Sequence, residues 1–260
     1  MINFFASIDA EVPELPSIGN LIDKIFHGAP WASFIHHWSS LLTSVFVGIA
    51  IASLFWIGSR SKNLIPTGLQ NALEWFLENF ETAICDILGP RGKKYVPLLA
   101  TLFIYILAMN WLTLIPLMKP PSSNVNITAG LAICVFCLVQ YQNIRNYGFF
   151  GFLYHMAGSP KDILGWVMSP LMFCIELLTQ FTRPVTLAFR LFGNVAGEDI
   201  LIGAFALFGV LLIQDLNIPF GLPLQIPFLF LAMLTGLMQA LVFTLLSTIY
   251  ILLSMPEEDH

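Results

Sequence analysis

The sequence predicts an all-α integral membrane protein of about five to six helices, with a long, strongly tilted C-terminal helical hairpin and one amphipathic surface helix. Three observations predict it. Hydrophobic residues fill 57% of the 260 positions and charged residues only 10%, and the mean hydropathy of +0.79 lies far from a soluble mixture. Several windows long enough to cross a bilayer carry no charge. The charges that do enter the apolar C-terminal third recur at helical spacing. The net charge of -5 is dispersed over ends and loops, so no basic patch points to nucleic acid.

The chain reads as an N-terminal outside segment, 1–37, and a single membrane domain, 38–260. The first segment sets Asp9, Glu11, Glu14 and Asp23 among prolines. It lacks a basic start followed by an apolar run and a cleavage site, so no removable signal peptide is expected. His36 and His37 sit together at a membrane edge. Without an HExxH motif or an acid at ligand spacing they point to an interfacial role rather than to metal chemistry.

Residues 38–58, "WSSLLTSVFVGIAIASLFWIG", form the first span, with Trp38 and Trp56 near the two interfaces. A surface helix follows at 66–88. Leu69, Leu73, Phe76, Phe80, Ile84 and Ile87 recur at helical spacing while Glu74, Glu78 and Glu81 gather elsewhere. An acidic polar side disfavours anionic lipid and favours packing along the membrane or against a partner. The second and third spans are 95–117 and 126–142. Cys134 and Cys137 form a CxxC in that third span, with no second pair or nearby His, and read as small apolar helix residues. Asn126-Ile-Thr matches a glycosylation acceptor by chance, the pattern being too short to discriminate.

The hairpin is predicted at 169–213 and 225–254, around a turn containing Asp215, Asn217, Pro219 and Gly221. Its first arm, about 45 residues, would measure near 67 Å against a hydrocarbon core of about 30 Å. Either it breaks, at Pro184 or Gly193, or it crosses steeply tilted. Orientation follows from the basic residues. Lys24 stands alone before the first span, and the next loop has Arg60, Lys62, Arg91, Lys93 and Lys94. Lys119 is alone in the third segment, and Arg145 and Lys161 follow. With five crossings this puts the N-terminus outside and the C-terminus in the cytoplasm.

An arginine at mid-membrane costs at least about 2.5 to 3.5 kcal/mol. Arg183 is expected to snorkel toward the inner surface. Arg190 has less room to escape and reads as functional. At about 100° per residue, Arg190, Asn194 and Gly197 share a face. Gly193 and Gly197 form a GxxxG, a close-approach surface on which a partner helix could meet Arg190. Asp199 points toward the side where the return helix should lie, with Glu198 between, and Glu176, Arg183 and Arg190 fall nearly in line. A fixed guanidinium lowers the pKa of a nearby carboxylate by about one to three units, so Arg190 could make a passing acid release its proton. Glu176, Glu198, Asp199, Asn194 and Gln239 would line aqueous approaches to it.

"TRPVTLAFRLFGNVAGEDIL" resembles the signature of subunit a of the F-type ATP synthase. The likeness extends through "AMNWLTLIPLM", "NVNITAGLA" and "LMQALVFTLLSTIYILLS". The resemblance implies a proton-translocating stator with no catalytic chemistry and no cofactor of its own. It implies as partners the rotating c-subunit ring, peripheral-stalk b subunits and the other subunits of the complex. Arg190 matches the family's essential arginine, Asn194 and Gln239 its polar path, and Glu176 an acid on the cytoplasmic side. Asp199 aligns with the outer half-channel acid, with Glu198 as the alternative one residue away. The return-helix position that is histidine in some members is Ala232 here. A bacterial inner membrane is the expected location, with an organelle membrane as the alternative, and H⁺ and Na⁺ both remain open. A secondary transporter with intramembrane charges is the competing reading, although no internal repeat supports it.

Overall fold

The computed structural model describes residues 30–60, 68–115, 118, 120–158, 163–214 and 222–255. The segment 1–29, the basic residues Lys62, Lys119 and Lys161, and the hairpin turn 215–221 lie outside the described residues. Six α-helices follow one another: α1 (Pro30–Gly58), α2 (Leu69–Leu88), α3 (Val96–Trp111), α4 (Val125–Met156), α5 (Ile163–Gln214) and α6 (Ile226–Leu253). All but α2 contain a stretch long and apolar enough to cross a membrane, five in all among the described residues. There is no strand among the described residues. The chain is an all-helical, multi-pass membrane protein.

Element boundaries follow local chemistry. The second span narrows to α3, flanked by 3₁₀ turns at Pro90–Tyr95 and Leu112–Leu114. Ile115 turns extended, φ -89° and ψ 116°, because Pro116 clashes with a helical residue before it. The third span runs past the expected 142 to Gly148, where φ is 69° and ψ 165°, and helix then resumes to Met156. Only glycine takes that conformation without a Cβ penalty, so the kink sits there. The polar residues that suggested an earlier end are used beside the C-terminal end of α6, where Asn146 Nδ2 donates to the Ser254 carbonyl at 2.8 Å.

The first hairpin arm begins earlier than expected, and it does not break. Helix α5 runs for 52 residues through Pro170 and Pro184, about 78 Å at 1.5 Å per residue. A helix of that length fits a hydrocarbon core of about 30 Å only when strongly inclined. Helix α6 runs back along α5 in a constant register. Arg183 lies over Tyr250, Asn194 meets Gln239, Glu198 meets Thr235, and Phe205 stacks on Phe228 at 4.0 Å. Between successive pairs, α6 retreats by as many residues as α5 advances.

The core gathers around α3, the most buried of the spans. Leu99, Ile106 and Met109 of α3 pack with Phe243 and Ile251 of α6, and with Leu187, Leu191 and Val195 of α5. The outward faces are apolar as well, with Phe46 and Ile49 of α1, Phe189 of α5, and Phe230 and Leu234 of α6 exposed. In water such surface would be a liability; facing lipid it costs nothing. On α6 three hydroxyls turn inward instead. Thr244, Ser247 and Thr248 are buried and donate to the carbonyls of Ala240, Phe243 and Thr244 at 2.8 Å, so none is orphaned in a low-dielectric interior.

Three ties fix the remaining elements. Ser44 of α1 and Tyr105 of α3 share a hydroxyl contact of 2.5 Å. Phe76 of α2 stacks on Phe103 of α3 and Phe80 lies tilted against it, while Glu81 pairs with Lys93 at 2.9 Å, so the amphipathic helix is held by the protein itself. Buried Asn110 bridges Ser122, whose hydroxyl donates to it at 2.9 Å, and the Gly236 carbonyl, to which it donates at 3.3 Å.

Candidate functional site

Arg190 stands on the exposed side of α5, with Leu187, Ala188, Leu191 and Val195 buried behind it. Among the described residues no ion pair reaches its guanidinium. Gly193 and Gly197 flank it on the same exposed side. A Cβ added at either would meet nothing within 4 Å, so none of the described residues packs against this GxxxG. Arg190, Gly193, Asn194 and Gly197 thus make one open strip within about 100° of the helix circumference.

Asn194 closes one edge of that strip. Its Nδ2 donates to Gln239 Oε1 at 3.0 Å, joining two residues singled out in the sequence. Gln239 is 4% exposed and its own Nε2 has no partner among the described residues. A buried donor without a partner costs about 1 to 3 kcal/mol, which favours water at this position.

Glu198, half-buried, extends the line toward the C-terminal end of α5. The Thr235 hydroxyl of α6 lies beside its carboxyl. The angular estimate from the sequence directed Asp199 toward the return helix and Glu198 only part way. Glu198 reaches it, because the register set by Asn194 with Gln239 and Phe205 with Phe228 brings residue 198 opposite 235. Asp199 is also half-buried and is not free.

Toward the N-terminal end of α5 from Arg190 lies a cavity of about 370 Å³, lined by Asn143, Glu176, Gln180, Arg183 and Tyr250 among others. Two amides lead into it: Gln140 Nε2 donates to Gln180 Oε1 at 2.6 Å, and Gln180 Nε2 to Glu176 Oε1 at 3.5 Å. Arg183 was expected to snorkel to the inner surface. Its side chain is half-buried, with the guanidinium 5.2 Å from the Tyr250 ring centroid, so an aromatic face of the chain receives the charge.

The sequence brought out Arg190, Asn194, Gln239, Glu198 and Glu176, and the structure aligns them along one hairpin. It passed over Thr235, Gln140, Gln180 and Tyr250. The two glutamines carried a usable signal, since amides inside otherwise apolar spans are expensive and belong in a protein interior. Cys134 and Cys137 are free and exposed on α4, apart from this line. Thr128, the last residue of the apparent glycosylation acceptor, is fully buried against the Val125 carbonyl.

The family described as ATP synthase A chain matches residues 41–252. The chain is 54% identical to ATP synthase subunit a of Protochlamydia amoebophila over all of its length and 96% of that protein. It is 36% identical to ATP synthase subunit a of Moorella thermoacetica, covering 88% of this chain and 94% of the other. The subunit a of Helicobacter pylori strain P12 is 34% identical over 85% of this chain and 92% of its own. By the extent of the family match and the identity carried over full length, this chain belongs to the ATP synthase A chain family, that of subunit a.

Proposed function

We propose that this chain is the proton-translocating stator of an F-type ATP synthase, offering two offset half-channels to a c-subunit ring and using Arg190 to separate them. The observation that carries the reading is the open strip around Arg190. A permanent cation facing lipid, with no acid of its own chain among the described residues to neutralise it, calls for an acid from another polypeptide. The adjacent Gly193 and Gly197 leave room for a second helix to approach.

Protons enter from outside past Glu198 and Asp199, with Gln239 and Asn194 nearest the ring. They neutralise a ring carboxylate, travel with it, and leave through the inner cavity by Glu176. Along the helix Glu198 lies about 12 Å and Glu176 about 21 Å from Arg190, on opposite sides, so neither acid can pass a proton to the other directly. A ring carboxylate arriving at Arg190 has its pKa lowered by about one to three units and releases its proton. The same charge repels a proton attempting to slip straight through. Each transfer draws about 2.3 kcal/mol per 100 mV, so several must be coupled to each ATP.

The basic-residue alternation supports an outside N-terminus and a cytoplasmic C-terminus, and the bacterial relatives support a plasma-membrane location. Peripheral-stalk b subunits would cover other outward faces. The test is Arg190→Ala in inverted membrane vesicles. ATP-driven proton pumping should fall to background, with the subunit still present in the membrane. Pumping at the unmodified rate would refute the role.

A further inference from the structure

We propose that Thr235 is a positioning residue for Glu198, its hydroxyl serving as the carboxyl group's hydrogen-bond partner in both protonation states. The inference rests on the reading of Glu198 as a proton-carrying acid and adds to it the group that lets the proton come and go. Two independent observations put the pair together. The Thr235 hydroxyl lies beside the Glu198 carboxyl, and the hairpin register, fixed on one side by Asn194 with Gln239 and on the other by Phe205 with Phe228, brings the same two positions face to face.

The surroundings of Thr235 Oγ1 supply the second half of the argument. It lies 2.8 Å from the Leu231 carbonyl oxygen and 3.2 Å from that of Ala232. An ionised carboxylate only accepts, so the hydroxyl turns its hydrogen to Glu198. A protonated carboxyl donates to Oγ1, and the hydroxyl returns its own hydrogen to the Leu231 carbonyl. Rotation about one Cβ–Oγ bond connects the two arrangements, and neither leaves a donor unpaired in the low-dielectric interior. The proton gained or lost belongs to Glu198 alone; Thr235 keeps its own throughout.

Few other side chains could do this here. A methyl group would leave the carboxyl unpartnered, and an ammonium could only donate. No histidine occurs in either helix of the hairpin, so an imidazole is not at hand. Ala232, buried one turn away on α6, offers no polar atom beyond its backbone.

The test compares Thr235→Val, Thr235→Ser, Glu198→Gln and the Glu198→Gln/Thr235→Val double variant in the assembled complex, in inverted vesicles, with rates normalised to subunit content. Losing one hydrogen bond should slow ATP-driven pumping about five- to tenfold in Thr235→Val, with Thr235→Ser within about twofold of the unmodified protein. The double variant should be no worse than Glu198→Gln. Should Thr235→Val not assemble, Thr235→Ala, smaller and without a branch, carries the same expectation. Unmodified rates in the hydroxyl-free variant, or a serine as poor as valine, overturn this proposal alone. Unmodified rates in Glu198→Gln overturn the outer-acid reading and this proposal with it.

Discussion

Side-chain polarity explains which of the candidate residues stand out in the sequence. Charges and amides inside apolar helices are costly, so Arg190, Asn194, Glu176 and Gln239 stand out in the bare sequence and the structure aligns them. Hydroxyls do not stand out. Threonine satisfies itself against the preceding turn, as Thr179, Thr182 and Thr186 do on α5 and Thr235 does on α6, so only the register of the hairpin sets Thr235 apart from any other membrane threonine. The sequence leaves the choice between Glu198 and Asp199 open, because one residue is about 100° of rotation, and both acids are half-buried in the structure. Tyr250 yields a prediction of its own. Replacing it with Leu removes the ring under Arg183, worth about 0.5 to 2 kcal/mol. On the proposed route, proton transfer should slow about twofold to thirtyfold, measured as the pumping rate with inverted vesicles, while Tyr250→Phe should pump normally.

At the scale of elements, helices were read well and their ends less so. The charge-free first span and both hairpin arms appear where expected, since nothing interrupts their hydrophobicity. The helix α5 start, the continuation through Pro184 and the extension of α4 to Gly148 were hidden, because neighbouring helices decide whether a proline or an amide ends a helix. The joint between α3 and α6 depends on a missing side chain. A Cβ at Gly236 would come within 3.1 Å of Asn110 Cβ, close to the Asn110 bridge. Gly236→Val should therefore overpack this joint by about 1 to 3 kcal/mol, seen as a lower unfolding temperature of the detergent-extracted complex. Gly148→Ala should cost about 1 to 2 kcal/mol, since φ is positive there. Its effect should be local: a looser inner end of α4, read as faster hydrogen exchange around 149–156, with the hairpin unchanged.

The whole molecule sets these pieces along one hairpin. The cavity beside Glu176, Arg190 and the polar line through Asn194 and Glu198 are what the proposed function joins, with a ring carboxylate as the carrier between them. The cavity makes its own prediction. With Cys85, Cys134, Cys137 and Cys174 replaced by Ser, a cysteine at Asn143 should react with a membrane-impermeant thiol reagent from the cytoplasmic side and not from outside. The most direct test of the account asks what the Arg190 strip touches. Single cysteines at Gly193 and Gly197, each in the same cysteine-free background, should form disulfides with cysteines on the c-subunit helix that carries the ring carboxylate, whereas cysteines at buried Leu191 and Val195 should not. Cross-links from the buried positions alone, or none from either glycine in an assembled complex, would contradict it.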